Sequence, residues 1–147
     1  MQLASQNVRT PSEITQAFRS SGLKMTPQRS LMFELLHGND THPTAEDLFD
    51  QARQVMPTIS LRTVYQTLND LAAMGEINQI DLGTGATRFD PMTEDHHHFI
   101  CDACATVHDV QVGTAAAIAA DDSVHRVRSA EVVFRGMCAT CASKANN

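Results

Sequence analysis

Two Cys-x-x-Cys pairs, Cys101-Asp-Ala-Cys104 and Cys138-Ala-Thr-Cys141, constrain this chain more than any other feature. Each pair presents two thiols on one turn, and 33 residues separate Cys104 from Cys138. Four thiolates gathered around one ion make a closed tetrahedral site, the preference of zinc, which brings no redox chemistry of its own. The alternatives are a pair of disulfides or a redox dithiol. A redox pair usually sits where a strand runs into a helix, and neither pair is followed by a clear helical pattern. The spacing therefore predicts a structural zinc held by Cys101, Cys104, Cys138 and Cys141. Such a staple suits a chain of 147 residues with Trp 0, Tyr 1 and Phe 6, whose core must rest on aliphatic side chains.

The first part of the chain reads as helices. Thr10-Pro11-Ser12-Glu13 combines a cap, a proline suited to the first helical position and a glutamate three residues after the cap, with Ile14, Ala17 and Phe18 on one face. Thr26-Pro27 repeats the signal ahead of Leu31, Leu35 and Leu36. Thr44 caps a third helix with an apolar stripe of Leu48, Ala52 and Val55, and Ser60 a fourth with Val64, Leu68, Leu71 and Ala72 inward. Alternation from Ile77 to Leu82, a Gly83-Thr84-Gly85 turn and a return over Ala86–Phe89 predict a β-hairpin. Helices followed by a hairpin is the winged-helix order, with the fourth helix as recognition helix. Residues 1–90 are thus read as a winged-helix DNA-binding domain, 91–95 as a hinge, and 96–147 as a small α/β domain that dimerises; the class is α+β. Strands are expected over His96–Cys101, Val107–Val112 and Ala130–Phe134, and a short helix over Thr114–Ala120.

A second cluster carries no sulfur. Asp90 precedes Asp95-His96-His97-His98, His108-Asp109 follows on the next strand candidate, and His42 lies on the loop before the third helix. Alternation along a strand puts His96 and His98 on one face, about 7 Å apart, and turns His97 away. His42, Asp90, His96, His98 and Asp109 together suit a harder or borderline divalent ion such as Fe²⁺, Mn²⁺, Co²⁺ or Zn²⁺. A site of this kind beside a structural zinc points to sensing or catalysis. No further base or substrate pocket is evident for an enzyme, so a non-enzymatic role is expected.

Charge gives no nucleic-acid footprint. The net charge is -6, and six bases face nine acids up to residue 87, five face eight from Arg88 on. DNA contacts must come from a local group, for which Lys24, Arg29, Arg62, Thr63, Tyr65 and Gln66 are the candidates: Gln66 suits adenine, the Tyr65 ring a thymine methyl, Arg62 a base or phosphate, Arg29 a phosphate, and Lys24 a flanking minor groove. Residues 1–15 lack an apolar signal core and no apolar run approaches membrane-spanning length, which predicts a cytoplasmic protein with no membrane partner.

Met25-Thr-Pro-Gln-Arg29, His42-Pro-Thr-Ala-Glu-Asp47, Ser60-Leu-Arg-Thr-Val-Tyr65, Arg88-Phe-Asp90, His96-His-His-Phe-Ile-Cys101 and the two cysteine pairs occur in the order seen in the ferric uptake regulator family, and over roughly residues 15–142 the chain resembles it. The resemblance implies a dimeric bacterial repressor that binds palindromic operator DNA when loaded with metal. It is nearest the peroxide-responsive PerR branch, whose regulatory ligands for Fe²⁺ or Mn²⁺ map onto His42, Asp90, His96, His98 and Asp109; Zn²⁺ can enter such a site in vitro. The iron-sensing branch usually has glutamate where Asp90 and Asp109 stand. In the peroxide branch, bound iron directs an oxidant onto a ligand histidine, here His42 or His96, and DNA is released. The alternative on the same scaffold is an iron-, zinc- or manganese-responsive repressor of metal uptake genes. Iron regulators often have Asp where His97 stands, and the stretch Arg126–Glu131 lacks the histidine that a third metal site would use.

Overall fold

Each of the first four helices begins on a hydroxyl side chain. In this computed structural model, which describes residues 9–83, 85–110 and 130–146, they are α1 (Pro11–Ser20), α2 (Pro27–Leu36), α3 (Ala45–Val55) and α4 (Leu61–Ala73), capped by Thr10, Thr26, Thr44 and Ser60. Thr10 and Thr44 form full capping boxes with Glu13 and Asp47: each hydroxyl accepts from the backbone N–H three residues on, and each carboxylate accepts from the cap's own N–H. Gly22, Gly38 and Gly75 follow three of these helices at positive φ and turn the chain out of the helical path.

The chain divides into two compact units, Met1–Thr93 and Glu94–Asn147. In the first, the helices bury one stripe each around a common core that includes Ile14, Phe18, Met32, Phe33, Leu48, Ala52, Val64, Leu68 and Leu71. Phe18 and Phe33 meet edge to face at 5.4 Å. Two stripes differ from the expected ones. α2 buries Met32, Phe33 and Leu36, leaving Leu31 and Leu35 only partly covered, because its bulkiest side chains face α1. In α3 the last turn carries Val55 away from the core, 68% exposed.

The hairpin consists of β1 (Asn78–Ile80) and β2 (Arg88–Asp90), antiparallel, with Gln79 opposite Phe89. The return strand starts later than the Ala86 expected, because Gly83 and Gly85 take positive φ and the Gly83 N–H is donated to the Asp81 side chain, so the turn consumes more residues. A bridge between Thr44 and Arg88 ties β2 to the chain entering α3. Four helices and a hairpin make this unit a winged helix.

The second unit is a three-stranded sheet ordered β4-β3-β5, from β3 (His97–Cys101), β4 (Val107–Val110) and β5 (Val133–Gly136), followed by α5 (Ala139–Ala145). β4 runs antiparallel to β3 and β5 parallel to it, with His98 opposite both Asp109 and Val133. The last strand lies three residues beyond the Ala130 expected as its start, and the short helix α5 was not foreseen; it buries no residue, so no apolar period marks it. The expected helix Thr114–Ala120, the end of the second strand and Arg126–Ser129 lie outside the described residues. Among the described residues no helix is long and apolar enough to cross a membrane.

Candidate metal centre

The four cysteines come together within the second unit. Cys101 ends β3, Cys104 lies on the turn after it, and Cys138 and Cys141 bracket the start of α5. All four are free thiols, and their sulfurs lie within 4.8 Å of one another. Cys104 Sγ and Cys138 Sγ, one from each pair, are 3.9 Å apart. A tetrahedron with Zn–S bonds of about 2.3 Å has sulfur–sulfur edges of about 3.8 Å, whereas a disulfide needs about 2.05 Å. The spacing fits one ion rather than two bridges. The missing-helix argument against a redox dithiol fails for the second pair, since α5 follows Cys138 directly; the meeting of both pairs is the stronger argument.

The backbone prepares this cluster for a cation. The Cys138 N–H is donated to Cys101 Sγ at 3.3 Å, and with further N–H groups of the first turn it lowers the Cys101 thiol to about 6. The Thr106 hydroxyl, 3.0 Å from Cys104 Sγ, is the main cause of a lower value there too. Cys141 goes the other way, to about 12, because Cys138 and Cys104 beside it favour its protonated form. One thiolate is thus formed at neutral pH while another holds its proton until a dication replaces it.

The sulfur-free residues fall into two sets. In the first unit, His42 Nε2 and Asp90 Oδ2 are 3.5 Å apart, and both side chains are almost fully buried. β2 builds this pair. Asp90 is its last residue; Arg88 donates to the His42 carbonyl at 3.0 Å, and Phe89 N–H to the Pro43 carbonyl at 2.9 Å. So pinned, His42 adopts φ 52, a left-handed conformation uncommon for a side-chain-bearing residue. The Met92 N–H holds the other Asp90 oxygen at 2.9 Å.

In the second unit, one oxygen of Asp109 faces two imidazoles: His96 Nε2 at 3.1 Å and His98 Nε2 at 3.5 Å. The rings of His96 and His98 lie 4.5 Å apart. Strand pairing of His98 with Asp109 explains the contact, and His96, just before β3, shares His98's face as alternation requires. His97 turns away and its Nδ1 accepts the Val132 N–H at 2.9 Å. Each outer nitrogen of the Asp109-facing pair is also engaged: His96 Nδ1 with the Glu94 carbonyl at 2.6 Å, His98 Nδ1 with Glu131 Oε1 at 2.7 Å. Glu131 escaped sequence reasoning, because its approach depends on a strand register between residues 33 positions apart.

Three of the candidate DNA contacts, Arg62, Tyr65 and Gln66, are exposed on α4, and Asn69, which sequence reasoning did not single out, is exposed one turn on. The Tyr65 hydroxyl is donated to Glu46 at 2.5 Å, which raises its pKa above the ordinary phenol value and orients the ring. Thr63 is occupied at the helix start, where its N–H and hydroxyl both meet Ser60. Arg29 is engaged as well: it donates to the Lys24 carbonyl, lies 3.9 Å from Asp70 and stacks 5.1 Å over Phe18. Lys24 itself is exposed.

This architecture has close counterparts. The chain resembles the Peroxide operon regulator of Bacillus subtilis, 29% identical over 138 residues, 92% of this chain and 95% of that protein. Among solved structures, the Helicobacter pylori ferric uptake regulator, described as having three functional metal binding sites, superposes with a TM-score of 0.78 at 20% identity, covering 92% of this chain and 95% of that one. The Vibrio cholerae ferric uptake regulator, whose structure is described as revealing rearrangement of the DNA-binding domains, gives 0.71 at 27% identity, covering 85% and 99%. The profile of the Ferric uptake regulator family matches residues 20–132, more than half of the chain, which therefore belongs to the ferric uptake regulator family.

Proposed function

We propose that this protein is a metal-dependent transcriptional repressor that binds operator DNA as a homodimer and is released by hydrogen peroxide. The observation that carries the reading is the orientation of the imidazoles: in each unit, histidine Nε2 atoms face an aspartate oxygen at 3.1–3.5 Å. Imidazoles and carboxylates so aimed are the donor set of a divalent ion with no preference for sulfur. His42 and Asp90 supply one half, His96, His98 and Asp109 the other, and ligands from both units sharing one regulatory Fe²⁺ or Mn²⁺ hold the hinge at a single angle. Cys101, Cys104, Cys138 and Cys141 hold the structural zinc.

In a dimer that hinge angle sets the separation of the two α4 helices, which must reach successive major grooves about 34–36 Å apart. Arg62, Tyr65 and Gln66 form the reading face of α4, with Lys24 on the backbone; Thr63 and Arg29 mainly build the helices that present them. β5 supports the dimer: among the described residues it is an outer strand, and Phe134 within it and Met137 just after it are 41% and 52% exposed.

Ferrous iron, when bound, would supply the one-electron chemistry that splits peroxide and would be recovered, the imidazole being the net two-electron reductant. One peroxide oxygen would replace the hydrogen on a ring carbon of His42 or His96 and the other would leave as water; that histidine's set of ligands is then broken and the hinge freed. Aspartate at 90 and 109, as in the peroxide branch, and the name of the Bacillus subtilis relative support this sensing over metal sensing alone. Anaerobic loading with Fe²⁺ or Mn²⁺, then operator binding with and without peroxide, tests it. The iron form should lose DNA on peroxide treatment, with one oxygen atom added to the peptide containing His42 or His96, and the manganese form should keep it. Retained binding with unmodified histidines would leave a repressor that reports metal only.

A further inference from the structure

We propose that Glu131 is a positioning residue for the regulatory metal, holding His98 in the tautomer and orientation that leave Nε2 as the donor. The metal consequence rests on the reading above; the tautomer does not. The Glu131 carboxylate meets His98 Nδ1 at 2.7 Å, within the range of charge-assisted bonds, while Nε2 of the same ring faces Asp109. Both ring nitrogens face a carboxylate, which can only accept, but Glu131 lies 2.7 Å from Nδ1 and Asp109 3.5 Å from Nε2, so in the neutral ring Nδ1 carries the proton and the lone pair sits on Nε2.

Glu131 is half exposed, and an exposed acid beside a histidine is often incidental. Its surroundings argue otherwise. β5 pairs in parallel with β3, His98 opposite Val133, so Glu131 lies two residues ahead of His98's partner and on the same side of the strand. The residue between them is fastened twice: Val132 N–H is donated to His97 Nδ1 at 2.9 Å, and its carbonyl accepts the His98 N–H at 3.2 Å. The backbone that delivers Glu131 is thus locked to His97 and to His98, the histidine it serves. His98, at 3% exposure, has little water to compete for its outer nitrogen.

His96 provides the contrast. Its outer nitrogen meets a backbone carbonyl, that of Glu94, which no substitution removes. His98 is oriented by a side chain carrying a full negative charge, which makes the imidazole a stronger donor than a carbonyl partner does. Outer-sphere partners of this kind usually account for about 10–100-fold in metal affinity.

Full-length protein with zinc in place allows the test, using Glu131→Ala, Glu131→Gln and, as a reference, Asp109→Ala. The first readout needs no regulatory metal: ¹⁵N shifts of labelled histidine, at a pH where imidazole is neutral, should show His98 as the Nδ1–H form in wild type and a mixture in Glu131→Ala. The second is Mn²⁺ affinity, expected to fall about 10–100-fold in Glu131→Ala and less in Glu131→Gln, whose carbonyl still accepts but without the charge. Glutamine also covers the case in which alanine fails to fold. An unchanged tautomer, or unchanged Mn²⁺ affinity where Asp109→Ala abolishes binding, would overturn the proposal. So would Glu131→Ala removing Mn²⁺ as completely as Asp109→Ala with one ligand fewer in the Co²⁺ spectrum, for then Glu131 is itself a ligand. Should Asp109→Ala bind Mn²⁺ normally while the tautomer shifts as expected, the site reading falls and the hold of Glu131 on His98 stands.

Discussion

The two units are held together by different chemistry. Among the described residues, all fourteen members of the buried apolar cluster belong to the first unit, whereas the second buries Ile100, Val107 and the side chain of Cys101, with the polar His98 beside them. At about 1.5–3 kcal/mol for each buried aliphatic side chain, Ile100 and Val107 contribute little against the conformational entropy of three strands. A zinc ion on four cysteines contributes on the order of 10 kcal/mol. Among the described residues, the first unit is therefore a core with a surface around it, and the second is a cluster of four cysteines with strands arranged around it.

Removal of zinc is the severest way to probe that difference. Chelation, or Cys138→Ser with Cys141→Ser, should abolish the sheet of the second unit while the helical signal of the first persists in circular dichroism. A single cooperative loss of both would show that the units do not stand separately. Reloading then starts from a unit without its sheet, whose thiols are at their ordinary values of about 8.5, and at neutral pH it should release close to one proton per cysteine; calorimetry in buffers of different ionisation enthalpy counts them. In the folded unit Cys101's depressed value stabilises above the ordinary thiol range, and that advantage is lost as pH falls through about 6.

Next in size is Leu68→Ala at the fully buried centre of α4. It should cost the first unit about 2–5 kcal/mol in denaturant unfolding and leave zinc affinity unchanged. Loss of zinc in that variant would sink the contrast between the units. The smallest effect is expected at Glu13, whose carboxyl is held below the ordinary range chiefly by the Thr10 N–H it accepts. A group so lowered stabilises above its unfolded pKa and ceases to as pH falls through the folded one. Glu13→Gln should thus lower the unfolding midpoint slightly at neutral pH, and the gap to wild type should close in acid.

What the sequence disclosed follows the same division. Thr10, Thr26, Thr44 and Ser60 were readable because capping is local chemistry with a fixed spacing. The cysteine pairs were readable because a metal's geometry is written into Cys-x-x-Cys. The inner face of α2 was misjudged, since which of two adjacent apolar rows turns inward depends on the partner, here Phe18 against Phe33. β5 and α5 were displaced or missed because zinc-directed segments need no apolar period. His42 and Asp90 were chosen from residue type, but the device that joins them, the double hold of Arg88 and Phe89 on the His42–Pro43 backbone, belongs to tertiary structure alone.

β5 has a further consequence. At one end its Gly136 pairs with Cys101 and leads into Cys138; just before the other stands Glu131, against His98. One short strand thus runs from the cysteine cluster to His98, which the proposed regulation makes a ligand of a second metal. Thermodynamic reciprocity then applies: if zinc, by keeping this strand in register, tightens the regulatory ion by some factor, that ion must tighten zinc by the same factor. Under the proposed regulation, a cell that withholds zinc would also blunt the response to the other metal, so that one nutrient sets the gain on the signal from another.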